Sequence, residues 1–116
     1  MVTIDGINVD ATSIPRTQLV SIWKTLTSQP FPKVRAFQLE DRDFELVLRL
    51  RKCWDDEQRE MEEWGRVLST RGTDACVFNA EDYADADYVI LIRENPYHNA
   101  RAVIEHELRH IARGDL

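Results

Sequence analysis

The octapeptide Ile104-Glu105-His106-Glu107-Leu108-Arg109-His110-Ile111 carries two patterns at once. Ile104, Leu108 and Ile111 are spaced four and three apart, which gives a helix one apolar stripe to dock on a core. His106 and His110 are four apart, so a rotation of about 400° returns the second imidazole to nearly the face of the first. Two neutral imidazoles placed this way supply two of the three protein ligands of a catalytic zinc. Glu107 lies about 60° round the helix from His110. From there a carboxylate can hold and deprotonate a metal-bound water, the general-base role in metal-assisted hydrolysis. Two imidazoles also suit cobalt, nickel or iron, so zinc is the expected metal but not a unique one.

Working outward, Tyr88-Val-Ile-Leu-Ile-Arg93 is an apolar run that reads as a buried strand, and Glu94-Asn95-Pro96 interrupts it before the helix. Strand, short loop and a helix bearing His-Glu-x-x-His resemble the heart of the zincin metallopeptidases. The likeness covers residues 88 to 115 and is greatest to the minimal zincins and the small immunity-repressor-cleaving peptidase-like domains. It implies zinc-dependent hydrolysis of a peptide or protein substrate. It also implies that the strand Val89 to Ile92, with Val89 and Leu91 as substrate-facing residues, pairs with extended peptide through a free edge. A strand internal to the sheet is the competing reading of the same run.

A catalytic zinc needs a third protein ligand. Asp115 is the one acidic residue after His110. On a continuing helix it would point about 140° away. Gly114 is a natural left-handed cap, and a turn there swings Asp115 back toward the metal. The other readings make Asp115 a cap or a solvated carboxylate, with the third position filled from upstream, by a neighbouring protomer or by water. Tyr97 and His98 either steady an oxyanion or simply form the helix-entry turn, with Asn99 as the N-cap. Arg109 and Arg113 complement the helix C-terminus or bind acidic substrate side chains.

Composition sets the bounds. At 116 residues, 43% hydrophobic and 31% charged, the sequence is that of one ordinary globular domain, residues 1–116, with a single core. A formal charge of −6 argues against a nucleic-acid partner, since phosphate neutralisation needs a basic face. The longest apolar run is far short of a membrane span, and Met1-Val-Thr-Ile-Asp5 has neither the basic nor the apolar region of a signal peptide, so a cytoplasmic location is expected. Cys53 and Cys76 have no metal-ribbon spacing and read as half-buried thiols in a reducing compartment.

In chain order, Val2 to Val9 alternates around Asp5-Gly6, a hairpin signal. Ser13 reads as an N-cap with Pro15 near the first helical position, and Leu19, Val20, Ile22, Trp23 and Leu26 continue at helical spacing to about Thr27. Residues 33–52 have two readings. Phe44, Leu46, Leu48 and Leu50 alternate as a strand that would form a hairpin with Val34 to Leu39. Against this, Leu46, Leu50, Cys53, Glu57, Met61, Trp64 and Leu68 suit one long helix from Asp43 to Leu68; the hairpin is preferred because so long a helix is unusual in a small domain. Asp55 to Leu68 reads as a helix with a solvated acidic face. Arg71 to Asp74 reads as a turn and Ala75 to Phe78 as a short strand. Asn79 to Asp87 is a polar loop whose Asp82, Asp85 and Asp87 lack the glycine and distal glutamate of a calcium loop.

The expected architecture is therefore a small α+β zincin-like domain. A mixed or antiparallel sheet of three to five strands packs on a backing helix near 15–27 and on the active-site helix near 97–113. Glu107 is the catalytic residue, and His106, His110 and Asp115 are the metal ligands. The second functional class is a zincin-shaped binding or regulatory module with weak or absent catalysis, and homo-oligomers would complete or block its cleft.

Overall fold

Six strands and three helices order the part of the chain that the computed structural model describes, residues 2–4, 6–51, 74–80 and 86–114. In sequence they are β1 (Val2–Ile4), β2 (Ile7–Val9), β3 (Ala11–Ser13), α1 (Arg16–Leu26), β4 (Val34–Leu39), α2 (Asp41–Arg51), β5 (Ala75–Asn79), β6 (Tyr88–Arg93) and α3 (Ala100–Arg113). The β1–β2 hairpin pairs Val2 with Val9 and Ile4 with Ile7. Its tight reversal is possible because Gly6 takes φ +80°, where a side chain would be strained.

The main sheet is mixed, in the order β3-β4-β6-β5. Strands β4 and β6 run parallel, while β3 and β5 pair antiparallel on the outside. A parallel pair needs a crossover connection rather than a hairpin, and α2 lies in the segment that joins β4 to β6. With a neighbour on each edge and side chains packed on each face, β6 carries a continuous apolar run, as buried parallel strands do.

Helices cover both faces. On one, α1 brings Leu19, Ile22 and Trp23, and α3 brings Val103, Ile104, Leu108 and Ile111, onto Ala36, Ile90 and Ile92. On the other, α2 contributes Phe44, Val47 and Leu48, and the hairpin contributes Ile4 and Val9, over Phe37, Leu39, Val89 and Leu91. The architecture is a small α+β domain with a mixed four-stranded sheet, a separate two-stranded ribbon and a backing helix at Arg16–Leu26.

Two expectations are corrected. The stretch from Phe44 is helix, not the second arm of a hairpin with Val34 to Leu39. Phe44, Val47 and Leu48 are buried while Leu46 is 45% exposed, a spacing of three and four rather than two. Asp41 and Asp43 in the first turn favour this helix through its dipole. Ser13 closes β3 instead of capping α1. The helix is entered through Pro15, whose carbonyl accepts from Gln18 N and Leu19 N, because Ile14 N still donates to Ala36 O and keeps the chain on the sheet. The expected helix at 55–68, Cys53, Asp82 and Asp85 lie outside the described residues.

Candidate metal centre on the C-terminal helix

Both ends of α3 are fixed by local chemistry. Asn99 Oδ1 accepts from Arg101 N at 2.9 Å and Ala102 N at 3.3 Å, which satisfies amides that have no partner within the helix. At the other end Gly114 takes φ +70°, and its N–H donates to His110 O and Ile111 O, a left-handed C-cap. Val103, Ile104, Leu108 and Ile111 face the core, and the helix is thereby held in rotation as well as position.

That rotation leaves His106 exposed and His110 half-buried. Their Nε2 atoms lie 3.1 Å apart, with the rings perpendicular and their centroids 4.6 Å apart. Without metal, one ring can donate an N–H to the other. The same separation suits two bonds of about 2.0–2.1 Å to one zinc, with an angle near 100° between them, close to tetrahedral. The donor set therefore fits a shared first-row metal ion.

Glu107 lies between the core stripe and the imidazoles and is only 7% exposed. Loss of solvent pushes its carboxyl up from 4.5 to about 7, against the opposing pull of His110. A carboxyl poised near neutrality can both take and return a proton at physiological pH. On the outer flank Arg109 pairs with Glu105 at 2.8 Å, one turn apart, so Arg109 is tied to its own helix.

A second polar cluster stands at the entrance to α3. The Asp74 carboxylate accepts from Tyr97 N at 2.8 Å and His98 N at 2.9 Å, and His98 Nδ1 lies 2.6 Å from its Oδ2. Burial pushes the Asp74 carboxyl up, but the two amides and the His98 ring outweigh that and hold it below its ordinary 3.8. Tyr97 and His98 thus form the helix-entry turn, and an aspartate 23 and 24 residues upstream clamps them. Nothing local in Arg71 to Asp74 signals this role, because its partners come from another part of the chain. Beside the cluster Arg93, 1% exposed, places its guanidinium about 5 Å from the rings of Phe44 and Tyr97 and within 4 Å of Asp41 and Glu45.

Val89 and Leu91 do not line this site. Both are fully buried on the sheet face opposite α3, and both edges of β6 are occupied by β4 and β5. Peptide cannot add to that strand, because its backbone groups are already paired. Among the described residues β5 pairs on one side only, with β6, and its Ala75 and Val77 pack toward α1 and α3. Asp115 lies outside the described residues, and among those described no three His, Cys, Asp or Glu side chains converge to hold an ion. Also among them, no helix is long and apolar enough to cross a membrane. Comparison with protein-family models, with curated proteins and with solved structures gives no match.

Proposed function

We propose that this chain is a minimal zincin-like peptidase that hydrolyses peptide bonds with a zinc held by His106 and His110. The convergence of the two Nε2 atoms to 3.1 Å carries the reading, and the buried Glu107 beside His110 supports it. Zinc, when bound, supplies Lewis acidity that polarises a scissile carbonyl and acidifies water. Glu107 receives a proton from the attacking water and returns it to the departing amine. Burial holds this carboxyl above the ordinary carboxylate range, which suits a group that takes and then passes on a proton near neutral pH. The core stripe of α3 keeps the three side chains in register, so little reorganisation is needed when substrate arrives.

The test combines zinc content with turnover of a quenched-fluorescent peptide library. Wild type should hold about one zinc per chain and cleave. Glu107→Gln should keep its zinc and lose roughly 10²–10⁴-fold in rate, whereas His110→Ala should lose both. Absence of tight zinc after add-back, or full turnover in Glu107→Gln, would overturn the proposal; retained zinc without wild-type turnover would favour a binding module.

A further inference from the structure

We propose that the end of the molecule around His110 selects acidic peptides, with Asp or Glu side chains near the scissile bond held by Lys24, Lys33 and Arg113. The inference rests on the peptidase reading of His106, Glu107 and His110, and it names the substrate class of that site. Three segments bring the cations together. Lys24 lies in the last turn of α1 and Arg113 in the last turn of α3. Gln29 Nε2 donates to Ala112 O at 3.4 Å, which seats the loop after α1 against the end of α3. Lys33 closes that loop, and its carbonyl accepts from Asp87 N and Tyr88 N where the parallel strands β4 and β6 begin.

All three side chains are exposed, and none has an ion-pair partner among the described residues. The carboxylates near them are mostly engaged or withdrawn. Glu105 is bound by Arg109 and Glu107 is buried, which leaves Asp87 as the exposed acid at this end among the described residues. On a chain of formal charge −6, that is a local reversal of sign. Asp10, Glu40 and Glu94 gather instead around a crevice at the far end of the sheet, beside Leu39. A molecule polarised in this way draws an acidic segment toward the imidazoles and repels it from the opposite end. Arg113 follows His110 by about 4.5 Å along the helix and about 60° round it. Extended peptide advances about 3.3 Å per residue, so Arg113 meets side chains roughly one to three residues from the scissile bond. Complementing the helix C-terminal dipoles accounts for Lys24 and Arg113, but not for Lys33, which belongs to no helix.

Cleavage of three quenched-fluorescent peptides by the zinc-loaded protein tests this, the peptides differing only in Glu, Gln or Lys flanking the cleaved bond. At low salt the Glu peptide should have roughly 10-fold higher kcat/KM than the Gln peptide, mostly through KM, and the Lys peptide should be poorest. The advantage should shrink severalfold in about 0.5 M NaCl. Arg113→Gln should reduce it by about 2–5-fold. The Lys24→Gln/Lys33→Gln/Arg113→Gln variant, with zinc content and far-UV circular dichroism unchanged, should abolish it. Arg42→Gln, which removes an exposed cation from α2 across the sheet, should preserve it. Equal rates on the three peptides, or full preference in the triple variant, would overturn the acidic selection and leave the peptidase reading standing. No cleavage of any peptide would overturn the peptidase reading, and this inference with it.

Discussion

Replacing Glu107 by glutamine in the metal-free protein should change how stability depends on pH, by an amount that follows from the burial of one carboxyl. Its folded-state pKa of about 7 lies above the ordinary 4.5. Below about pH 4 the group is protonated in both folded and unfolded chains and contributes no difference. Between 4.5 and 7 the folded chain retains a proton that the unfolded chain has released, so stability falls as pH rises. Above about pH 8 both states are ionised, and the folded state carries the full cost of a desolvated charge. At about 1.4 kcal/mol for each pH unit, that cost is about 3 kcal/mol. Glutamine keeps the shape and cannot ionise. The stability of Glu107→Gln relative to wild type should therefore rise by about 3 kcal/mol between pH 4 and pH 9, with most of the change between 5 and 7. Urea titrations followed by Trp fluorescence, with a chelator present, would measure it. Parallel stability–pH curves for the two proteins would show that Glu107 is solvated or fully paired in the folded state, and would refute the reasoning.

Asp74→Ala removes the acceptor for Tyr97 N, His98 N and the His98 ring and should cost about 2–4 kcal/mol by urea denaturation. Because this carboxyl is held below its unfolded value, its contribution should be present above about pH 4 and fade as acid titrates it in the folded state, a loss absent from the variant. Gly114→Ala meets no atom within 4 Å but must hold φ at +70°, so about 1–2 kcal/mol should be lost through backbone conformation alone. Arg93→Ala leaves a cavity between Phe44 and Tyr97 and removes the cation facing Asp41 and Glu45. It should destabilise by about 3 kcal/mol in urea, while Arg93→Met, which preserves most of the volume, should recover a large part.

Local chemistry made α3 legible in the sequence. Asn99, Gly114, the apolar stripe and the four-residue spacing of the histidines act within one or two helical turns, and so does the Asp5-Gly6 hairpin signal. The strand at Tyr88 to Arg93 was nearly as plain, since a short apolar run rich in β-branched residues and closed by Asn95-Pro96 suits a buried strand better than a helix. Whether its edges were free was not, because pairing with β4 and β5 is decided by residues some 50 and 13 positions away. The stretch from Phe44 to Arg51 shows the same limit. Phe44, Leu46, Leu48 and Leu50 satisfy a period of two while Phe44, Val47 and Leu48 satisfy a helical one, so sequence alone leaves the choice open. Tertiary structure resolves it: Phe37, Leu39, Val89 and Leu91 present an apolar sheet face, and a helix bringing Phe44, Val47 and Leu48 covers it. Asp74 is the extreme case, a carboxylate that looks like any turn residue until two amides and an imidazole from the segment after the neighbouring strand β6 arrive to bind it. The sequence by itself determined the elements whose bonds close within a few residues. Only the tertiary structure decided which face each buried and which distant partner each polar group found, because those energies exist only once the chain has returned upon itself.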